Sequence, residues 1–392
     1  MQAMINPARR ALNFSLALRA AVATILLVPA VLAAQSREDQ APLALPFDWE
    51  VATPSSQGVD AKALEEASRR AEAGEFGQVH GLLVARNGKL IFERYYHGWD
   101  MHQMHTIQSV TKSVTSMLIG IAIGEGKIKS VDQPIMEFFP EHKDLFTDPR
   151  KQKLTLRHVL TMTLGNDWKE NAFPYSSPQN IVWRMALAPD WMKFILEQPM
   201  VEEPGTRFNY NSGSSLLLSG ILQNVTGMNA HAYAEQKLFN PLAIPVYGWY
   251  RNFNNPANWS HTGGGLNMRH RDIAKIGQLV VSGGRWKDKQ VVPAEWVKES
   301  TRAQLRTGPT SNRWYGYQWW LQKLPPESAV AGDPVEVVQG RGWGGQFILA
   351  IPRLNLVAIS TSGSFEDEAV AQKAMGMLMN LIVPAVKTTK AP

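Results

Sequence analysis

Apolar residues recur along this chain at two different spacings, and the change of spacing divides it into three stretches. Residues 81–86 and 90–96 are β-rich runs, Gly81-Leu82-Leu83-Val84-Ala85-Arg86 and Leu90-Ile91-Phe92-Glu93-Arg94-Tyr95-Tyr96, separated by Asn87-Gly88-Lys89. An Asn-Gly pair between two such runs is the strongest short hairpin signal, because the favoured tight turn needs positive φ at its central residues. Helix formers of mixed charge over 61–73 predict a helix before this hairpin. Val110, Val114, Met117, Leu118 and Ile121 then fall at helical spacing and mark the buried stripe of a second helix. Gly124 and Gly126 offer its C-cap. Ser109, Lys112, Ser113 and Ser116 share the opposite face at i, i+3, i+4 and i+7, where side chains can meet.

From 130 to about 258 the pattern is mostly helical and punctuated by proline. Helical spacing runs over 180–197, 214–225 and 229–238, and Thr155 is a candidate N-cap for a helix in Leu154-Thr155-Leu156-Arg157-His158-Val159-Leu160-Thr161. Gly263-Gly264-Gly265 breaks the pattern, and helices over 271–281 and 293–301 follow. The last third returns to strands. Residues 316–321 alternate loosely, whereas 345–351 and 356–361 are near-continuous apolar runs, as expected of strands covered on both faces. A helix over 366–386 closes the chain. These elements predict an α+β fold: an antiparallel β-sheet flanked by helices, with an inserted, mainly helical domain at about 130–258.

Composition changes this picture only at the N-terminus. Of the 392 residues 44% are hydrophobic, enough for a large core. The formal charge is +6, but Arg9, Arg10 and Arg19 lie in the first 34 residues, which hold no Asp or Glu. Those arginines precede a short apolar run over 20–32, and Val31-Leu32-Ala33 offers small residues for cleavage. The run contains Pro29 and is shorter than the roughly 20 residues of a membrane span. The expectation is a signal peptide over 1–34, a linker over 35–50, one folded domain over 51–388, and an exported, periplasmic or secreted protein. Removing the leader's three arginines takes +6 to +3, too mild a charge to argue for nucleic acid. No cysteine is present, so thiolate metal sites and disulfides are excluded. The nine histidines show no spacing that argues for a metal.

Two constellations carry candidate chemistry. Ser109-Val110-Thr111-Lys112 pairs a hydroxyl with an amine one turn later, at a helix N-terminus that favours negative charge. In Glu203-Pro204-Gly205-Thr206-Arg207-Phe208-Asn209-Tyr210-Asn211-Ser212, a turn leads to two hydroxyls, Tyr210 and Ser212, just ahead of a helix. A phenol beside an ammonium can have its pKa lowered and join in proton transfer.

Taken together, these blocks resemble the class C β-lactamase-like serine hydrolases, the superfamily of penicillin-binding-protein-like esterases and 6-aminohexanoate-dimer hydrolase-type enzymes. The resemblance spans nearly all of 80–365 and includes Ser130-Val131-Asp132-Gln133-Pro134, the 154–161 block and Gly264-Gly265-Leu266-Asn267-Met268. It implies Ser109 as the acylated nucleophile, Lys112 as its proton acceptor and Tyr210 as the tyrosine that protonates the leaving group. Ser212 stands where β-lactamases carry Asn. Relatives also place a tyrosine where Tyr175 stands.

The third motif departs from the lactamases. Where they carry Lys-Thr-Gly or His-Thr-Gly, this chain has Gln339-Gly340-Arg341-Gly342-Trp343-Gly344-Gly345-Gln346. A backbone N–H of Trp343 or of Gln346 could join that of Ser109 as an oxyanion hole. Arg341 is a candidate for the missing cation. The resemblance therefore implies a serine hydrolase acting on carboxylic esters or small linear amides, with no cofactor and no metal. Two alternatives stand beside it: a class C-type β-lactamase or D-Ala-D-Ala carboxypeptidase, and a non-catalytic peptidoglycan-binding or sensor module.

Overall fold

The computed structural model describes residues 39–253, 255–324 and 335–387. The leader expected over 1–34 lies outside the described residues. The Asn-Gly signal is realised as the hairpin of β2 (Val79–Arg86) and β3 (Lys89–Tyr95), following the short β1 (Glu50–Val51). Asn87 and Gly88 have φ of 53° and 77°, the left-handed pair this turn requires. Next come β4 (Met104–Thr106), β5 (Tyr247–Trp249), β6 (Leu266–Arg269), β7 (Arg285–Trp286) and β8 (Lys289–Gln290). The C-terminal third supplies β9 (Leu305–Arg306), β10 (Arg313–Tyr315), β11 (Trp320–Lys323), β12 (Glu336–Gly342), β13 (Gln346–Ile351) and β14 (Leu356–Ser362).

Nine of these form one sheet in the order β1-β3-β2-β14-β13-β12-β11-β10-β9. Every pairing in it is antiparallel except β1 with β3. The apolar runs read as strands covered on both faces are so covered. Phe347, Leu349 and Ile351 of β13 belong to one core, and Ile348 and Ala350 to the other. Leu356 and Ala358 alternate with Val357 and Ile359 in the same way on β14. The helices Ala61–Glu72 and Glu368–Met377 pack on one face, and Val110–Gly124 and His270–Val281 on the other.

Several local expectations are corrected. The helix expected over 180–197 is two, Ile181–Leu187 and Trp191–Glu197. Pro189 drives Ala188 out of the helical region, and Asp190 then caps the next helix by accepting from Lys193 N. Residues 316–319 are a bend rather than strand. Gln318 has φ of 64°, and its buried amide bonds the carbonyls of Val159 and Leu160. The insertion is helical from Ile135 to Phe239, but its end returns to strand as β5. Together β4, β6 and β5 form a small second sheet. This sheet lays residues 262–266 beside the segment that leads into Ser109, where Ile107 N donates to Leu266 O at 3.0 Å.

The final residues of the stretch read as a linker belong to the body. Trp49 is buried, and its Nε1 donates to Arg271 O at 3.1 Å. Asp48 pairs with Arg271 and Lys275 on the His270–Val281 helix, and Glu93 takes the other side of the Arg271 guanidinium at 2.6 Å. Arg271 and Lys275 can be buried only because each has a carboxylate partner. Among the described residues no helix is long and apolar enough to cross a membrane.

Candidate active site

Ser109 sits at the N-cap of the Val110–Gly124 helix, but its hydroxyl caps nothing. It is presented by a strained residue, Gln108, with φ of 45°. The helix behind it is buried on all sides from Val110 to Ala122, so the polar face read from sequence meets protein rather than water. Ser113 Oγ donates to Gln318 O at 2.8 Å, and Thr115 Oγ1 reaches Thr262 O at 3.2 Å.

Lys112 is 2% exposed. Its Nζ lies 3.0 Å from Ser109 Oγ and 3.1 Å from Ser212 Oγ, and also donates to the carbonyl of Gly263. Burial lowers its pKa from 10.5 to about 8, against the pull of the Glu170 carboxylate. Half of Lys112 is then free amine at about pH 8. The same burial, helped by the Lys112 charge, lowers His261 to about 4 and keeps it neutral.

Tyr210 lies across the site, with the ammonium nitrogen 5.0 Å from its ring centre and Trp320 stacked on it at 5.8 Å. Its pKa is raised, not lowered. Burial and the charge of Glu170 outweigh the hydrogen bond with Ser109, which pulls the other way. The expected lowering by the ammonium fails because the carboxylate and desolvation act more strongly on this phenol. Tyr210 is therefore a neutral hydroxyl at working pH.

A cavity of about 950 Å³ opens over Ser109, and Tyr175, Tyr210, Trp320, Arg341 and Trp343 line it. Lys112 and Ser212 do not line it and connect to it through Ser109. Tyr175 and Trp343 rings meet at 5.6 Å, forming one wall. Beside Ser109, β12 passes so closely that a Cβ on Gly342 would sit 2.5 Å from Ile107 O. No N–H of Ser109 or Trp343 is donated to a backbone carbonyl among the described residues. Gln346 is buried outside the cavity lining, and its amide bonds Ser362 O at 2.6 Å and Trp343 O at 3.3 Å, which braces the turn. Arg341 forms no ion pair among the described residues; its guanidinium bonds the side-chain amides of Gln339 and Gln372.

Sequence reasoning missed Glu170 and Gly263. Glu170 is 2% exposed and accepts four hydrogen bonds. Trp168 Nε1 (2.8 Å) and Ser212 N (2.6 Å) reach Oε2, and Ser212 Oγ (2.6 Å) and Tyr175 OH (2.7 Å) reach Oε1. The only local signal is a tryptophan two residues before a carboxylate. Gly263 acts through its carbonyl, which leaves no mark in a sequence. Among the described residues no group of three or more His, Asp or Glu side chains is placed to hold a metal.

The family described as "Beta-lactamase" matches residues 69–377. The chain is 26% identical over 308 residues, 71% of each sequence, to a 6-aminohexanoate-dimer hydrolase of Paenarthrobacter ureafaciens. A Bacillus anthracis structure provisionally described as a 6-aminohexanoate-dimer hydrolase superposes with a TM-score of 0.66 at 20% identity, covering 81% of both chains. EstCE1, described as a hydrolase with promiscuous acyltransferase activity, superposes with a TM-score of 0.63 at 15% identity, covering 82% of this chain and 98% of its own.

Proposed function

The chain belongs to the beta-lactamase family, and from that premise we propose that it hydrolyses carboxylic esters or small linear amides through an acyl-Ser109 intermediate. One observation carries the reading: a buried lysine, its pKa brought down to about 8, stands 3.0 Å from a serine hydroxyl that opens on a cavity. A free amine at that distance can take the hydroxyl proton as Oγ attacks the carbonyl carbon. The N–H groups of Ser109 and Trp343 are suited to hold the oxyanion, since neither is spent on a carbonyl and both residues line the cavity. Tyr210, a neutral phenol bonded to Ser109, suits the transfer of a proton from the Lys112 ammonium to the leaving alkoxide or amine. Water then attacks the acyl carbon, returns its proton to Lys112, and releases the acid.

The absence of Lys-Thr-Gly supports esters and linear amides over β-lactams. The rival reading, a β-lactamase or D-Ala-D-Ala carboxypeptidase, keeps one supporting observation. The Arg341 guanidinium lines the cavity and has no carboxylate partner among the described residues. Nitrocefin turnover and labelling by a fluorescent penicillin separate the two, and absence of both counts against the rival. Export belongs to the same proposal and rests on Arg9, Arg10, Arg19 and the apolar run over 20–32. Sizing the mature N-terminus by mass tests it.

The direct test is intact-mass labelling by a fluorophosphonate, with the adduct mapped to Ser109, together with p-nitrophenyl butyrate turnover. Ser109→Ala should abolish both. Wild-type turnover in that variant overturns the mechanism.

A further inference from the structure

The free amine of Lys112 has two hydrogens and one lone pair, and it has three polar neighbours. Only the lone pair can accept a proton, so the neighbour it faces decides whether the amine acts as a base. The carbonyl of Gly263 only accepts, and it takes one hydrogen. The Ser212 hydroxyl could either accept from the amine or donate to it. Its 2.6 Å contact with Glu170 Oε1 settles this, because a carboxylate oxygen only accepts. The Ser212 hydrogen lies on Glu170, its oxygen takes the second hydrogen of Lys112, and the lone pair is left for the Ser109 hydroxyl.

Building on the acyl-Ser109 reading, we propose that Glu170 is a positioning residue: by holding the hydrogen of Ser212 it directs the lone pair of Lys112 at Ser109. Glu170 touches no reacting atom in this role. Its own orientation is fixed by two donors that cannot reverse, Trp168 Nε1–H and Ser212 N–H, both on Oε2. It reaches the site from the helical insertion, 42 residues before Ser212. The insertion thereby governs the protons of a lysine that belongs to the sheet-packed body.

Glu170→Gln is the near-isosteric test. The two fixed donors force the carboxamide oxygen toward Trp168 and Ser212 N. The carboxamide NH2 then faces Ser212 Oγ and Tyr175 OH. Ser212 must accept from it and turn its own hydrogen toward Lys112, competing with Ser109 for the lone pair. The expected loss in kcat/KM for p-nitrophenyl butyrate is roughly 10- to 100-fold, below the 10²–10⁴ of a general base itself. In a Ser212→Ala background, where no hydroxyl is left to misdirect, the same substitution should cost less than about threefold, since coupled residues depart from additivity. The acid limb of the pH–kcat/KM profile should also move to lower pH, because a negative charge that favours the ammonium is gone.

Wild-type kcat/KM with an unmoved limb overturns the proposal, and so does an equal loss in the two backgrounds, which marks a merely structural role. Ser212→Ala alone keeps the idea falsifiable should Glu170→Gln not fold. Alanine offers the lone pair no hydrogen, so at least about a tenth of kcat/KM should survive. A loss as deep as that of Lys112→Met would make Ser212 itself the proton carrier and overturn the positioning role. If Ser109→Ala turns over substrate like the wild type, the acyl-serine reading fails first. If Ser109 is labelled normally but Glu170→Gln is unaffected, only the positioning role fails.

Discussion

Replacing Lys112 by methionine should make folding stability less dependent on pH, in a direction and by an amount the structure sets. The folded protein holds this amine at a pKa of about 8, because its burial disfavours the ammonium, whereas 10.5 is its ordinary value and that of the unfolded chain. Between these two values the unfolded chain keeps a proton that the folded one has released, so stability rises with pH across that window. Below about 8 the fold carries the whole penalty, and above 10.5 it carries none. At about 1.4 kcal/mol per pH unit, the fall from 10.5 to about 8 amounts to about 3.5 kcal/mol. Between about pH 6.5 and about pH 9.5, the wild type should therefore gain about 2 kcal/mol relative to Lys112→Met. Methionine also leaves Gly263 O and Ser212 Oγ without the lysine as donor. That loss does not titrate in this range, and it cancels when the two pH values are compared. Groups common to both proteins cancel likewise. Urea unfolding of both proteins at the two pH values, with midpoints and m-values, reads the quantity directly. A stability difference that stays flat, or that moves against the wild type as pH rises, refutes the reasoning and with it the assignment of Lys112 as a buried, easily deprotonated amine.

Activity should follow the same titration in the productive sense: kcat/KM for p-nitrophenyl butyrate should rise through about pH 8 to a plateau as Lys112 becomes free amine. A pH–rate profile that falls between neutrality and about pH 9 excludes the lysine as base. Gly342→Ala puts a methyl group 2.5 Å from Ile107 O and 3.1 Å from Gln108 Cβ, so it should displace the segment that presents Ser109. It should cost about 1–3 kcal/mol in urea unfolding and roughly tenfold or more in kcat/KM. On the acid side, burial among other imidazoles lowers His80 to about 4 and His270 to about 3. The unfolded chain takes up protons these rings refuse, so stability should fall as pH drops from 6.5 toward about 4, and more gently in His80→Asn. Urea midpoints across that range check it.

The sequence alone determined what depends on neighbours along the chain. The Asn87-Gly88 turn, the apolar runs of β13 and β14 and the Val110–Gly124 helix follow from residue type and period, which act over a few positions. Ser109 and Lys112 are one turn apart, and Tyr210 and Ser212 two residues apart, so each pair was visible as a local unit. Their joining into one site was legible only through resemblance to a family, because residue spacing says nothing about which loops meet. Tertiary structure decided the rest. It buried the polar side of the Val110–Gly124 helix, and desolvation, not any motif, brought Lys112 down to about 8. It turned Tyr210 from the acidified phenol expected beside an ammonium into a neutral hydroxyl, because burial disfavours the phenolate and a carboxylate from another segment stands nearby. It also placed Trp343 on the cavity wall and Gln346 behind it. That carboxylate, Glu170, reaches Ser212, and the carbonyl of Gly263 reaches the lysine, each across a long sequence separation. Burial, charge and hydrogen-bond direction belong to the packing of distant segments, so they are fixed only when the chain has folded.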